Sequence, residues 1–243
     1  MTFFKKLLLS AALISTVGLN ACVSNENTYT EAYDPYESYN RAVFAFNNGV
    51  DYILLDPLTE AYRFVVPDVF RLAISNFLTH IKAPVYLANE LLQGDLDGAG
   101  LVTKRFVLNS FTGFGGIVDT ASWEGMTYEP EDFGQTLAVW GAGSGPFVMM
   151  PIFGPSTLRD SFGLVGDMAL NPINWYVWDG ANENTDLGTI HTGATILDTK
   201  DNFLDLQRDL KRNSLDYYAA TRSVWLQRRQ SLINDGETSY NEY

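Results

Sequence analysis

Residues Gly141–Asp160, GAGSGPFVMMPIFGPSTLRD, constrain the fold of this chain more than any other stretch. Gly141, Gly143 and Gly145 leave the backbone free to take positive φ. Pro146, Pro151 and Pro155 each fix φ and remove a backbone donor. Between them lies PFVMMPIF, almost wholly apolar. That proline spacing opposes a 3.6-residue helix, and that apolar content opposes a solvated loop. The stretch therefore predicts an irregular apolar segment that something must cover. It either plugs a core or walls a site for an apolar ligand, with Met149 and Met150 as adaptable surfaces. No Gly-Lys-Ser/Thr follows the glycines, which excludes a phosphate-binding P-loop. Pro146 and Pro151 oppose the helix that a dinucleotide loop would open.

The N-terminus bears on location. Lys5 and Lys6 precede the apolar run Leu7–Val17, which is too short to span a bilayer. Residues 1–21 read as an export signal. Leu19-Asn20-Ala21-Cys22 resembles a bacterial lipobox, in which small residues precede a cysteine that becomes acylated, and Cys22 is the single cysteine of the chain. The residue after it is Val23, not the aspartate of inner-membrane retention, which points to the outer membrane. Each buried methylene of an acyl chain contributes about 0.8 kcal/mol, and two or more chains anchor stably. Residues 22–33 read as the lipidated N-terminus and a short polar tether. One cysteine also excludes an internal disulfide and a thiolate metal cluster.

The formal net charge is −13, and the leader contributes only positive side chains, so the body is more acidic still. Such a body repels nucleic-acid phosphates, and membrane binding through a general basic surface is excluded. Attachment to a membrane must come from apolar burial or lipid. Half of the basic residues after the leader fall between Lys200 and Arg229, as a solvated face or a docking face.

Residues 34–235 read as a helical domain. Asp34-Pro35 is placed to open a helix as N-cap and first residue. Tyr36, Tyr39, Val43, Phe46, Val50 and Ile53 then form one apolar face, while Phe44, Tyr52 and Leu55 lie off it. Such a helix sits centrally in a core or has protein on one side and lipid on the other. Phe70, Ile74, Phe77 and Ile81 mark a second helix, broken at Pro84, with Val85–Leu92 a third. Leu101–Phe111 is a fourth, carrying Lys104 and Arg105 on its polar side. Gly113, Gly115 and Gly116 make a tight turn, and Glu124–Asp132 a polar loop. Trp175, Tyr176 and Trp178 suit a membrane interface or a core edge. Asn182–Thr195 reads as a polar connection. From Ile196 the chain is helical, with Phe203, Leu206 and Leu210 on one face, then Tyr218, Trp225 and Leu232 on a second helix. Residues 236–243 read as a disordered tail. Adjacent Arg159 and Asp160 form a candidate structural lock. No segment after residue 21 offers eighteen uninterrupted apolar residues.

Catalytic and cofactor signatures are absent from the sequence. His80 and His191 stand in no metal spacing, and no cofactor is implied. Gly143-Ser144-Gly145 is not a nucleophile elbow. Enzyme activity is the weaker hypothesis.

Several runs resemble the MlaA (VacJ) family of outer-membrane lipoproteins. They include Tyr39-Asn40-Arg41, Ser75-Asn76-Phe77, Leu92-Gln93-Gly94, Arg105-Phe106, Leu108-Asn109 and Gly113-Phe114-Gly115-Gly116. Phe133-Gly134-Gln135-Thr136-Leu137, Gly145-Pro146, Gly154-Pro155 and Leu158-Arg159-Asp160 complete the set. The resemblance implies an all-α, ring-shaped assembly of amphipathic helices held in the inner leaflet of the outer membrane. Through its amphipathic channel, phospholipid misplaced in the outer leaflet would leave for a soluble periplasmic carrier. Trimeric porins are the implied membrane partners. On this basis Phe114, Phe147, Met149, Met150 and Phe153 are expected on or beside the channel, and Cys22 carries the lipid. The competing readings are a structural lipoprotein that braces porins and an acyl hydrolase acting on the same lipids.

Overall fold

The computed structural model describes residues 34–174 and 185–235. Cys22, the leader, the tether, Trp175, Tyr176, Trp178 and the 236–243 tail lie outside the described residues.

Helix α1, Glu37–Val50, runs directly into a π turn at Asp51–Leu55 and then into α2, Asp56–Val65. A π turn inserts one extra residue, so positions five apart share a face. Here it aims both Asp51 and Asp56 at Lys200, whose Nζ lies 2.9 Å from each carboxylate. The expected cap at Asp34 is not made. Tyr36 occupies the N-cap position, and the Asp34 carboxylate accepts instead from Asn40, Tyr218 and Arg222. A buried carboxylate gains more from a charged partner than from one backbone amide.

Helix α3, Asp68–Gln93, corrects a second expectation: Pro84 sits inside one 26-residue helix rather than between two. An interior proline costs about 3 kcal/mol. It is offset here because α3 packs against four other helices: α4, Leu96–Phe111; α6, Phe133–Val139; α7, Leu158–Leu170; and α8, Thr185–Asn213. The short α5, Thr120–Trp123, is capped by Asp119, and α9, Tyr217–Ile233, by Asp216. Residues 185–195, expected as a polar connection, already belong to α8. Leu204 of that helix is buried, while Leu206 is exposed. Lys200 and Asp201 set its orientation by pairing with the π turn and with Arg63 and Arg71.

The glycine- and proline-rich stretch is partly regular. Phe147–Met150 (β1) and Gly154–Thr157 (β2) form an antiparallel hairpin, with Phe147 opposite Thr157 and Met150 opposite Gly154. Alternation sends Phe147 and Met149 into a cluster with Tyr218, against which Val43, Phe44, Trp225 and Leu226 pack. The outer edge of β1 meets two asparagines rather than a third strand. Asn40 donates to the Phe147 carbonyl at 3.0 Å and accepts from the Met149 amide at 2.8 Å. Asn47, two turns on, donates to the Met150 carbonyl at 3.0 Å and accepts from the Ile152 amide at 2.8 Å.

Candidate functional site

The arrangement of polarity is unusual for a globular chain. Deeply buried positions include Asn40, Thr59, Asn89, Gln135, Thr136, Arg159 and Asp160. Large apolar side chains cover much of the exterior. Most of the apolar face predicted for α1 is turned outward, with Tyr36, Tyr39, Phe46 and Ile53 exposed, while Val43 of that face and the off-face Phe44 pack inward. Helix α1 thus packs on one side and leaves large apolar side chains exposed on the other. Phe70, Ile74 and Phe77 of α3 are likewise exposed, and Phe64 is 92% exposed. Scattered surface apolar residues need no explanation, but contiguous patches mark an interaction surface. No single described helix is long and apolar enough to cross a membrane. The pair Glu37–Val65 and Asp68–Gln93, bent by 117°, meets the length and composition of a span together.

A cleft of about 280 Å³ opens between α3, α4, α5 and residues 127–130. Its floor is polar. Arg105, expected on the polar side of its helix, is buried and donates to Asp119 at 2.8 Å and Ser122 at 3.3 Å, with its guanidinium 4.8 Å from the Tyr128 ring centre. Asn109 donates to the other Asp119 oxygen at 2.8 Å and accepts from the Ala121 amide. Burial opposes ionisation of Asp119, but hydrogen bonds from Ser122, Asn109 and Arg105 outweigh it, and its carboxyl stays below the ordinary range. The remaining wall is aromatic: His80 stacks on Phe106 with centroids 4.6 Å apart. At this volume the cleft lies at the lower limit for drug-sized ligands, about 300–1,000 Å³. It admits a headgroup or a short stretch of chain, so the tails of a diacyl lipid would lie outside it.

The five residues expected at a channel do not share one surface: Phe147 and Met149 meet in the core cluster, and the others lie outside it. Phe114 is exposed on the turn after α4, whose Gly116 has φ +86° and lies so close to His80 that an added Cβ would be 2.2 Å from the ring. That turn borders the cleft. Phe147 and Met149 are 2% and 1% exposed and present no surface to a ligand. Strand alternation, which the irregular reading lacked, accounts for this. Met150 is half-buried beside Ser161, and Phe153 is exposed at the hairpin tip.

Arg159 and Asp160 are both buried and paired at 3.0 Å. A third residue that the sequence reading missed completes the cluster: Arg229 of α9 bridges Asp160 at 2.9 Å and Asp132 at 2.5 Å. Of the basic cluster between Lys200 and Arg229, four residues (Lys200, Arg208, Arg222 and Arg229) pair with acids elsewhere in the body. Only their acidic partners, remote in sequence, could have revealed this.

The triad geometry of an acyl hydrolase is incomplete among the described residues. Ser110 Oγ lies 3.2 Å from His80 Nε2, but it also donates to the Phe106 carbonyl at 2.7 Å. Burial alone lowers the His80 pKa, with no acid beside the ring to orient it. His191 is on α8, away from this pair in the chain.

Large exposed apolar side chains outside, with hydrogen-bonded polar residues buried beside a small apolar core, define a helical protein with an extensive apolar surface. The family model described as MlaA lipoprotein matches residues 32–232, and this chain belongs to that family. It is 34% identical over 241 residues to the "Intermembrane phospholipid transport system lipoprotein MlaA" of Escherichia coli K12, covering 98% of this chain and 93% of that one. It is equally similar to the protein of that name from Shigella flexneri. An uncharacterized protein of Rickettsia bellii is 34% identical over 211 residues, covering 86% of this chain and 80% of that one. A solved structure from work on the structural basis for maintenance of bacterial outer membrane lipid asymmetry superposes with a TM-score of 0.69 at 34% identity. It covers 83% of this chain and 99% of its own.

Proposed function

We propose that this chain is an outer-membrane lipoprotein of intermembrane phospholipid transport. It removes phospholipid misplaced in the outer leaflet and so maintains lipid asymmetry. The observation that carries this reading is the exposed apolar surface of α1, α2 and α3, a helix pair bent by 117°, beside buried polar residues. A body with that surface lies within one leaflet, and we place it in the inner leaflet of the outer membrane, anchored through Cys22. Lipid tails run along the apolar exterior past Phe114, Phe153 and the edge of Met150, and Phe147 and Met149 brace that wall from behind. Burying one large side chain or an equivalent length of tail contributes about 1.5–3 kcal/mol, enough to guide a lipid without trapping it. Lipid leaving the protein passes to a soluble periplasmic carrier, and a trimeric porin holds the protein in place. No bond is broken.

The supporting experiment compares outer-leaflet phospholipid in cells with this protein, without it, and with Cys22→Ala. Accumulation in the last two supports anchored lipid removal. An unchanged outer leaflet overturns it. The brace reading then gains, favoured by the burial of Phe147, Met149, Ser156 and Thr157 in the hairpin.

A further inference from the structure

Helices α3 and α8 lie antiparallel in a readable register. Arg71 donates to Asp201, and Ser75 Oγ lies 3.4 Å from Asp198 Oδ2. Steps up α3 match steps down α8, so two turns beyond Ser75 and Asp198 the register sets Lys82 opposite His191. His191, Thr195, Asp198 and Asn202 recur at helical spacing on the facing side of α8.

The two ends of this seam differ. At one end the charges are paired: Arg63 and Arg71 share Asp201, and Arg63 also reaches Asp205, although Arg71 Nε itself is buried without a hydrogen-bond partner among the described residues. At the other end, His191 Nε2 and Thr195 Oγ1 are buried with no hydrogen-bond partner among the described residues. A buried polar group left unpaired costs about 1–3 kcal/mol. Lys82 is half-buried and has no ion pair among the described residues. Burial lowers its pKa, and the nearby Asp198 opposes the shift. Burial and then the Lys82 charge lower the pKa of His191, which favours its neutral ring. The Asp198 carboxylate, half-buried, is steadied by Ser75 and by Asn202 at 3.3 Å. The seam thus holds one cation, one anion and two unpartnered polar atoms, in a place too polar for an acyl tail.

We infer that this end of the α3–α8 seam is a headgroup subsite for a phosphate diester bearing a primary amine, the phosphoethanolamine class. Lys82, Thr195 and His191 Nε2 take the phosphate oxygens, and Asp198 takes the ammonium. The inference rests on the lipid-transport reading for the source of that headgroup; the same chemistry would hold a free one.

The test uses the full-length protein purified in dodecyl maltoside. The lipid probes are short-chain phosphatidylethanolamine, phosphatidylglycerol and diacylglycerol, and soluble sn-glycero-3-phosphoethanolamine is the fourth. Binding is read by titration calorimetry. Phosphatidylethanolamine binds about tenfold tighter than phosphatidylglycerol, and diacylglycerol weakest. Lys82→Gln and Thr195→Val each weaken both phospholipids, Lys82→Gln by about tenfold, while Asp198→Asn abolishes only the preference for the amine. Neutralising a half-buried charge does not threaten folding, and circular dichroism checks each variant. If the soluble probe binds with the same dependence on Lys82, the site serves free headgroups as well. Equal binding of the three lipid probes, or affinities unmoved by both Lys82→Gln and Thr195→Val, overturns the subsite. If Lys82-dependent binding stands while outer-leaflet phospholipid is unchanged in cells, the transport reading fails and the subsite survives.

Discussion

Arg229 Nη2 lies 2.9 Å from Asp160 Oδ1, joining α9 to the start of α7 across 69 residues of sequence. Both side chains are buried, and the same guanidinium reaches Asp132 at the N-cap of α6. Burial raises the Asp160 pKa, but Arg229 and then Arg159 more than reverse this, and the carboxyl stays below its ordinary range. Removing one partner of a buried pair strands the other charge. Arg229→Met is therefore expected to cost about 3–5 kcal/mol, measured as a loss in chemical-denaturation midpoint. Asp160→Asn should cost less, since an amide still accepts from Arg229. Equal losses would show that shape rather than charge holds this junction.

The two asparagines on α1 stand in for a missing strand. Asn40→Ala leaves the Phe147 carbonyl and Met149 amide without partners in a buried setting. The expected loss is about 2–6 kcal/mol, from two backbone groups at about 1–3 kcal/mol each. Asn47→Ala, near the exposed turn, should cost clearly less. Hydrogen exchange at the Met149 and Ile152 amides distinguishes the two, each rising only in its own variant.

Glu90 and Glu131 sit where the end of α3, the start of α4 and the loop before α6 converge. Burial, reinforced by neighbouring acids including Asp95 beside Glu90, pushes both up to about 7. An unfolded glutamate titrates near 4.5, so between these values the folded chain binds more protons and stability falls as pH rises. Glu90→Gln should raise the melting temperature at pH 8 and leave it unchanged at pH 4. After allowance for solvent screening, the gain at pH 8 is on the order of 1 kcal/mol. A variant equally stabilised at both pH values would refute this account.

Close packing at α6 and α7 leaves no room for a methyl group at Gly163. A Cβ there would lie 2.5 Å from the Gly134 amide nitrogen and 2.6 Å from its Cα, both backbone atoms. Gly163→Ala should cost about 1–3 kcal/mol by overpacking. Gly143→Ala, which meets nothing within 4 Å, is the control. Thermal melts of the two variants should differ by several degrees.

Membrane contact can be separated from folding. Phe64 and Phe111 are 92% and 83% exposed, so an aspartate at either strands no core contact. Phe64→Asp should leave the melting temperature in detergent unchanged and weaken partitioning into phospholipid vesicles by about 1.5–3 kcal/mol. Met149→Asp is unsuited to this purpose, because Met149 is in the core and the variant should unfold. Unaltered partitioning of Phe64→Asp would remove α2 from the membrane face.

Sequence periodicity determined that the body is helical and which residues are large and apolar. The order and spacing of short motifs from Asp34 onward determined the family. What periodicity could not say is which side of an amphipathic helix faces the interior. That choice depends on what the opposite face meets, and on α1 the inward side carries Asn40 and Asn47 together with Val43 and Phe44. Tyr39 and Phe46 point outward, whereas Asn40 and Asn47 between them bind the hairpin, because buried backbone groups need partners more than an outer ring needs cover. Only the tertiary structure decided that Phe147 and Met149 lie in the core, since their strand forms by pairing with residues ten and six positions on. It alone placed Arg229 on Asp160 and set Lys82 against α8. These partners lie 69 or more residues apart, and a single sequence records the charges of such pairs without recording that they meet.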